Sequence, residues 1–212
     1  MKVISAVSLM GFVLPGCYGE TETSFPAGLA PLGESRVEAS SDEGFPEELQ
    51  MVSGSDVDTW VHARGYLHAP VSEVWKALQD EQVFVDRRAV SEYTIEWDTE
   101  PEYDVSFVVS QTVEDIITVS YDVGWRQGFV DGTLEGPETV AIRFQKVFGT
   151  ELIKRMEGSI VLVTVEEGFS EFQLQEHMET PIPDTDSLES FVTDMYAEML
   201  AWVHGEDLPT YP

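Results

Sequence analysis

The chain has 212 residues, and its 40 Asp and Glu against 11 Lys and Arg give a formal net charge of −29. Such an anionic surface repels nucleic-acid phosphates and bare anionic membranes, which argues against both as partners, and it favours a monomer. Because 42% of the residues are hydrophobic, the chain can bury a core and is not a disordered acidic tail. A single cysteine excludes an intramolecular disulfide, a multi-cysteine zinc site and an iron–sulfur cluster.

The N-terminus has the pattern of a bacterial lipoprotein signal peptide. A positively charged start precedes an apolar stretch over residues 3–14, which is too short to span a membrane but suits a signal-peptide core. The residues LPGC at 14–17 resemble the lipobox. This resemblance implies removal of residues 1–16 and lipidation of Cys17. Tyr18, in place of Asp, implies the outer membrane of a Gram-negative envelope, and an ordinary secretory signal is the alternative.

Residues 17–55 are predicted to be an acidic, flexible linker. From residue 18 onward they carry Gly, Pro, Ser and Thr throughout, with eight acidic residues and one base, Arg36. No helical or strand period is sustained. We therefore expect an extended, self-repelling tether that holds the following domain clear of the membrane surface.

Residues 56–205 are predicted to form one folded domain, followed by a short tail over 206–212. Alternating residues over 60–68 predict the first strand, and two short helices follow, one beginning near Pro70 and one over residues 81–88. Further alternating segments predict six strands, over residues 93–97, 103–109, 117–125, 140–144, 160–163 and 172–174.

The longest predicted helix closes the domain. Its apolar residues recur at helical spacing from Leu188 to Val203, Asp184 and Asp186 favour its start, and Gly205 is suited to its end. A helix with one apolar stripe and a sheet with one aromatic face must cover each other. The sequence therefore predicts an α+β fold.

This order of elements resembles the START-like, or SRPBCC, superfamily of polyketide cyclase/dehydrase and lipid-transport proteins. Residues 67–78 (LHAPVSEVWKAL) look like that family's entry into its first helix, and residues 157–165 with 169–176 look like its final hairpin. The resemblance implies a helix-grip fold, in which a curved antiparallel seven-stranded sheet wraps around the long C-terminal helix. It also implies a cavity between them for an apolar ligand.

The aromatic residues of the predicted sheet and two methionines of the last helix are the candidates for lining such a cavity. They are Tyr93, Trp97, Phe107, Tyr121, Trp125, Phe144, Met195 and Met199. The leading hypothesis is a lipid-anchored envelope protein that binds or carries a hydrophobic molecule such as a lipid, sterol, quinone or polyketide. The alternatives are a cyclase/dehydratase-type enzyme that uses the same cavity and an interaction domain with a filled core.

Catalytic and metal sites find little support in the sequence. His62 and His68 lie on one face of the first strand but about 20 Å apart at ~3.3 Å per residue, so they cannot share an ion with His177. No phosphate-binding loop, nucleophile elbow or HExxH motif occurs, and neither a cofactor nor a metal is expected. Gln111 and Lys146 are the nearest candidates for polar residues on an inward face.

Overall fold

A computed structural model describes residues 19–38, 44–115 and 117–211 of the chain. The signal peptide and Cys17 lie outside these residues. Within the described part, no helix is both long and apolar enough to cross a membrane. The elements in chain order are β1 (Gln50–Ser55), β2 (Thr59–Leu67), α1 (Val71–Ala77), α2 (Glu81–Phe84), β3 (Val90–Trp97), β4 (Val105–Val113), β5 (Val119–Gly132), β6 (Pro137–Gly149), β7 (Arg155–Glu166), β8 (Phe169–Glu179) and α3 (Thr185–His204).

The strands form one open antiparallel sheet in the order β1-β2-β8-β7-β6-β5-β4-β3. The predicted α+β class, the two short helices and the long C-terminal helix are confirmed, and the arrangement is consistent with a helix-grip fold. The predicted number of seven strands is wrong, because β1 adds an eighth, pairing with β2 from Gln50↔Arg64 to Ser55↔Thr59. Its sequence QMVSGS lacks alternation, so its pairing is set by the partner strand.

Helix α3 packs on the sheet through its predicted apolar stripe. Its buried residues include Leu188, Val192, Met195, Tyr196 and Met199. The Tyr196 hydroxyl donates a hydrogen bond to the backbone carbonyl of Tyr66 in β2. This close approach requires Gly65, because a Cβ at that position would lie 2.7 Å from the Tyr196 ring.

Helix α1 is fastened to the sheet by a fully buried glutamine, Gln127. The Trp75 indole N–H in α1 donates to Oε1 of Gln127 in β5 over 2.7 Å. The Gln127 amide in turn donates to the carbonyl of Leu78 over 3.2 Å. Both ends of the side chain are therefore satisfied in the core, as a buried polar group requires.

Residues 19–38 pack across the outer face of the sheet, the face opposite α3. We call this segment the arm. Its backbone N–H groups at Thr21 and Thr23 donate to carbonyls at the end of β6, each over 2.8 Å. Outer-face side chains bond the arm's backbone: Gln145 reaches the Ser24 carbonyl and Gln175 the Gly33 carbonyl, each over 2.8 Å.

The described part of the predicted linker is thus not a detached tether. Arm residues satisfy polar groups of the sheet, while β1 extends the sheet itself. These contacts are made by backbone carbonyls and N–H groups, which have no periodic signature in sequence. The predicted tail is also packed, because Arg87 donates to the Pro209 carbonyl over 3.1 Å and Arg88 lies 4.6 Å from the Tyr211 ring centroid.

Candidate functional site

A row of aromatic rings crosses the inner face of the sheet. Trp97, Phe107, Trp125 and Phe144 are direct cross-strand partners on β3, β4, β5 and β6. Phe107 and Trp125 are stacked at 5.7 Å between ring centroids, and Trp125 and Phe144 at 4.5 Å. Phe84 of α2 covers the row, with its ring 4.6 Å from Phe107. The sheet therefore presents a continuous aromatic wall, since cross-strand neighbours share one face.

The row continues through a glycine to a carboxylate. Phe144 pairs with Gly158 on β7, which pairs with Glu176 on β8. A Cβ at residue 158 would lie 1.9 Å from Cζ of Phe144, so the ring extends over the space that Gly158 leaves. Glu176 consequently stands in the same cross-strand row as the aromatic rings, on the inner face of the sheet.

A cavity of about 440 Å³ lies between this face and the start of α3. Its volume is within the range of about 300–1,000 Å³ that is usual for small-molecule sites. Most of its lining is aliphatic or aromatic, from β4, β5, the β6–β7 connection, β8 and α3. The polar lining residues are Thr59, Asp86, Gln111, Asp115, Tyr121, Glu176, Thr180, Asp184 and Ser187.

The rim of the cavity is formed by two loops. Ile117 belongs to the β4–β5 loop and is 45% exposed, while Ile182 belongs to the β8–α3 loop and is 80% exposed. Both line the cavity, together with Pro181 and Phe191. An apolar molecule would therefore meet aliphatic surface at the entrance before it reached the aromatic wall.

Glu176 is the most unusual polar group of the lining. It is 1% exposed, and its Oε2 atom is buried without a hydrogen-bond partner. Burial, together with the negative charge of Asp86, raises the pKa of Glu176 to about 8. Burial likewise raises the pKa of Asp86 above its ordinary value. Near neutral pH the Glu176 carboxyl can therefore hold or release a proton inside an apolar chamber.

Tyr121 and Gln111 form the second polar element of the cavity. They are cross-strand partners on β5 and β4, and both line the cavity. Burial raises the pKa of the Tyr121 hydroxyl, so the hydroxyl stays protonated and can donate.

The candidate lining residues from the sequence fall into three groups. Tyr121, Trp125 and Phe144 line the cavity. Phe107, Met195 and Met199 lie in the buried core and are not among the lining residues. Tyr93 and Trp97 belong to the edge strand β3, where they are 39% and 46% exposed.

Of the two polar candidates, only Gln111 reaches the cavity. Lys146 is fully buried elsewhere and donates to Oγ1 of Thr21 in the arm over 2.9 Å. Glu176 is missed by the sequence reading, although a signal exists: Phe172, Leu174, Glu176 and Met178 alternate along β8. A carboxylate at an inward position of an apolar alternation is the pattern that indicates it.

The histidines lie away from the cavity. His62 and His177 are adjacent, with ring centroids 5.6 Å apart, and the His62 Nδ1 atom accepts a hydrogen bond from the Arg36 backbone N–H. Burial, with the charges of His177 and Arg36, lowers the pKa of His62 to about 4. Over residues 19–38, 44–115 and 117–211, no three metal-ligating side chains are grouped closely enough to hold an ion.

Comparison with solved structures identifies neighbours with START/SRPBCC-type folds. The lipid transfer and protein localization domain of human StarD13 matches with a TM-score of 0.50 and 10% identity, over 81% of this chain and 88% of that one. Human StAR-related lipid transfer protein 5 matches with a TM-score of 0.49 and 10% identity, over 78% and 89%. The Zhui aromatase/cyclase from Streptomyces matches with a TM-score of 0.44 and 15% identity, over 74% and 93%.

At these identities the likeness concerns the fold alone. No protein-family model matches the chain, and no curated protein is similar enough to match it.

Proposed function

We propose that this domain belongs to the START-like superfamily and binds or carries a hydrophobic small molecule in the cavity between the sheet and α3. The observation that carries the proposal is the cavity itself, about 440 Å³ in volume, with an aromatic wall and an aliphatic rim. A filled core would place side chains there. Most of the lining is aliphatic or aromatic and nine of its residues are polar, which suits a site that holds an apolar ligand and orients it.

In this proposal the N-terminus anchors the domain to a membrane. Cys17 carries the lipid after removal of residues 1–16, and the protein acts as a monomer in the cell envelope, at the outer membrane. The LPGC sequence at residues 14–17 supports this part of the proposal. A membrane-bound position suits a protein whose ligand is poorly soluble in water, because it keeps the cavity near the ligand's source.

A cyclase- or dehydratase-type enzyme is the second candidate, and Glu176 is the observation that favours it. Its carboxyl has a pKa of about 8 and lines the same cavity as Tyr121. A carboxyl that is still protonated near neutral pH can act as a general acid on a carbonyl or hydroxyl group of a bound molecule.

The binding proposal is tested with N-phenyl-1-naphthylamine, a neutral apolar probe whose fluorescence rises in a dry site. Val109 lines the cavity, so Val109→Phe should fill ligand volume with little loss of stability. Val140 is fully buried but is not a lining residue, so Val140→Phe is the matched control. The control should be destabilised by about 1–3 kcal/mol through overpacking.

We expect the wild type to bind the probe and Val109→Phe to lose at least about tenfold in affinity. Absence of probe binding to the wild type contradicts the proposal. Equal destabilisation by Val109→Phe and Val140→Phe also contradicts it, because it would show that the cavity is filled by protein.

A further inference from the structure

The charged groups of the cavity are of one sign. Among the lining residues that the structure describes, four are acidic, namely Asp86, Asp115, Glu176 and Asp184, and none is Lys, Arg or His. A cavity that held a fatty acid or another anion would place a base or several N–H donors at its polar end. The lining therefore disfavours an anionic ligand and is complementary to a cationic one.

Three of these acids differ in the hydrogen bonds that their carboxyl groups accept within the protein. Asp184 caps α3 by accepting from the Ser187 backbone N–H over 3.1 Å. Asp86 accepts from the backbone N–H groups of Arg88 and Ala89, each over 3.0 Å. Glu176, in contrast, has a buried Oε2 with no partner. A buried carboxyl oxygen without a hydrogen-bond partner is costly, so its presence on the cavity wall indicates a group that a ligand completes.

The two basic residues that lie closest in sequence to Asp86 form ion pairs with acids outside the cavity lining. Arg88 makes two hydrogen bonds to Asp194, over 2.9 and 3.1 Å, and Arg87 pairs with Glu198 over 3.0 Å. These two are the bases nearest in sequence to Asp86, and neither lines the cavity. No side chain of the described lining can therefore place a positive charge beside Glu176.

One further feature favours a cation. The net charge of −29 gives the whole molecule a negative potential that concentrates cations near its surface.

We propose that the ligand of the cavity is an apolar amine, bound as its ammonium ion with the cationic head at Glu176 and the apolar body along the wall formed by Trp125 and Phe144. The proposal rests on the proposed binding function and specifies its ligand class. Asp86 adds negative charge next to Glu176, and Tyr121 with Gln111 offers a hydroxyl and an amide oxygen to the remaining N–H groups.

Binding of an ammonium ion should release a proton from the protein, whereas binding of a neutral ligand should not. In the free protein at pH 7 the Glu176 carboxyl holds its proton, because burial and Asp86 raise its pKa to about 8. The incoming ammonium favours the carboxylate, so the proton leaves to solvent while the amine keeps its own. The other titratable lining groups are Asp86, Asp115, Asp184 and Tyr121. The positive charge of the bound ammonium disfavours protonation of a neighbouring carboxylate, so the proton goes to solvent.

The test compares three molecules with the same chain and different heads: octylamine, octan-1-ol and octanoate. Each is titrated calorimetrically into the wild type, into Glu176→Gln and into Glu179→Gln. Glu179 is the matched control, because it lies on the same strand but pairs at the surface with Lys154 over 3.2 Å. Titrations at pH 7 in buffers of different ionisation enthalpy measure the protons released.

We expect the wild type and Glu179→Gln to bind octylamine at least about tenfold more tightly than octan-1-ol, with octanoate weakest and up to one proton released per octylamine. Glu176→Gln should lose the preference and the proton release while it still binds octan-1-ol. Octan-1-ol binding as tightly as octylamine, or proton release unchanged in Glu176→Gln, overturns the amine assignment and leaves the cavity a site for neutral ligands. Failure of all three molecules and of N-phenyl-1-naphthylamine overturns the binding function instead.

Discussion

The ring of Phe144 occupies the space into which a side chain at residue 158 would project. The two residues are cross-strand partners on β6 and β7, and a Cβ at residue 158 would lie 1.9 Å from Cζ of Phe144. Gly158 thus allows the aromatic row of the inner face to extend toward Glu176, which pairs with Gly158 from the other side. Gly158, the smallest residue of the row, therefore determines where the ring of Phe144 can lie.

Gly158→Ala should therefore destabilise the domain and weaken probe binding. The added methyl group displaces Phe144 from its stack on Trp125, and overpacking of this kind costs about 1–3 kcal/mol. Chemical denaturation measures the loss, and N-phenyl-1-naphthylamine reports the cavity. Gly33→Ala is the matched control, because its nearest neighbour beyond the adjoining residues, Oε1 of Gln175, would be at 3.9 Å. Equal stability of the two variants would contradict this view of the row.

The arm should contribute to stability, although the sequence predicts a tether there. The guanidinium of Arg126 lies 3.7 Å from the ring centroid of Phe25, and Gly124 leaves room for that ring. Phe25→Ala should lower the free energy of unfolding by about 1–2 kcal/mol. Phe148→Ala, at a position that is 42% exposed, should change it by less than about 0.5 kcal/mol. A melting temperature unchanged by Phe25→Ala and by deletion of residues 1–38 would show that the arm adds nothing.

The elements that the sequence predicts correctly are those whose own residues determine them. Strands β2–β8 alternate, and α3 has a regular apolar stripe, so local periodicity is sufficient. Strand β1 and the arm have no such period. The arm makes backbone hydrogen bonds to partners far along the chain, for example from Thr21 to the Gly149 carbonyl, whereas β1 pairs with the adjacent strand β2, with Gln50 opposite Arg64. Long-range pairing of this kind leaves no local signal.

The residues of the candidate site are likewise only partly predictable from the sequence. Tyr121 and Trp125 on β5 and Phe144 on β6 share one face of the sheet, and they line the cavity. Whether a buried methionine faces a cavity or a packed core depends on the helix position relative to the sheet, which periodicity does not determine. Asp86 follows a short helix and is brought to the cavity by tertiary packing alone. Its contribution to the site has no sequence signature.

Met195→Trp enlarges a side chain of the packed core, whereas Val109→Phe enlarges a side chain of the cavity lining. Met195 is 1% exposed in the core and does not line the cavity. The larger side chain should therefore overpack the contact between α3 and the sheet and destabilise the domain by about 1–3 kcal/mol. The free energy of unfolding and the probe affinity of Met195→Trp are compared with those of Val109→Phe. Val109→Phe should retain more stability and lose more probe affinity. The opposite ranking would place the ligand volume at α3 rather than at β4 and β5.

The anchor proposal predicts the behaviour of Cys17→Ser. Without the thiol no diacylglycerol can be attached, so the variant should accumulate as unprocessed precursor without the mass of the lipid. The measurement is membrane fractionation combined with intact mass spectrometry of the wild type and the variant. The same distribution for both proteins, with no mass difference corresponding to a lipid, would instead support an ordinary secretory signal that is cut further along the chain.

The last prediction concerns the pH dependence of stability. Burial and the charge of Asp86 raise the pKa of Glu176 from an ordinary value of 4.5 to about 8 in the folded protein. Between these two values the folded state binds more protons than the unfolded state. The contribution of Glu176 to stability must therefore fall as the pH rises through this window, and it is constant below and above it.

Glu176→Gln removes this dependence while it keeps the shape of the side chain. The variant should gain stability relative to the wild type from pH 5 to pH 8, with a slope that approaches about 1.4 kcal/mol per pH unit, and the difference should level off above pH 8. Urea denaturation at several pH values measures both free energies of unfolding. Glu179→Gln, which removes a surface carboxylate paired with Lys154, should not reproduce this slope. A difference between wild type and Glu176→Gln that stays constant from pH 5 to pH 9 would mean that Glu176 is ionised and solvated in the folded protein, and its role in the cavity would then be wrong.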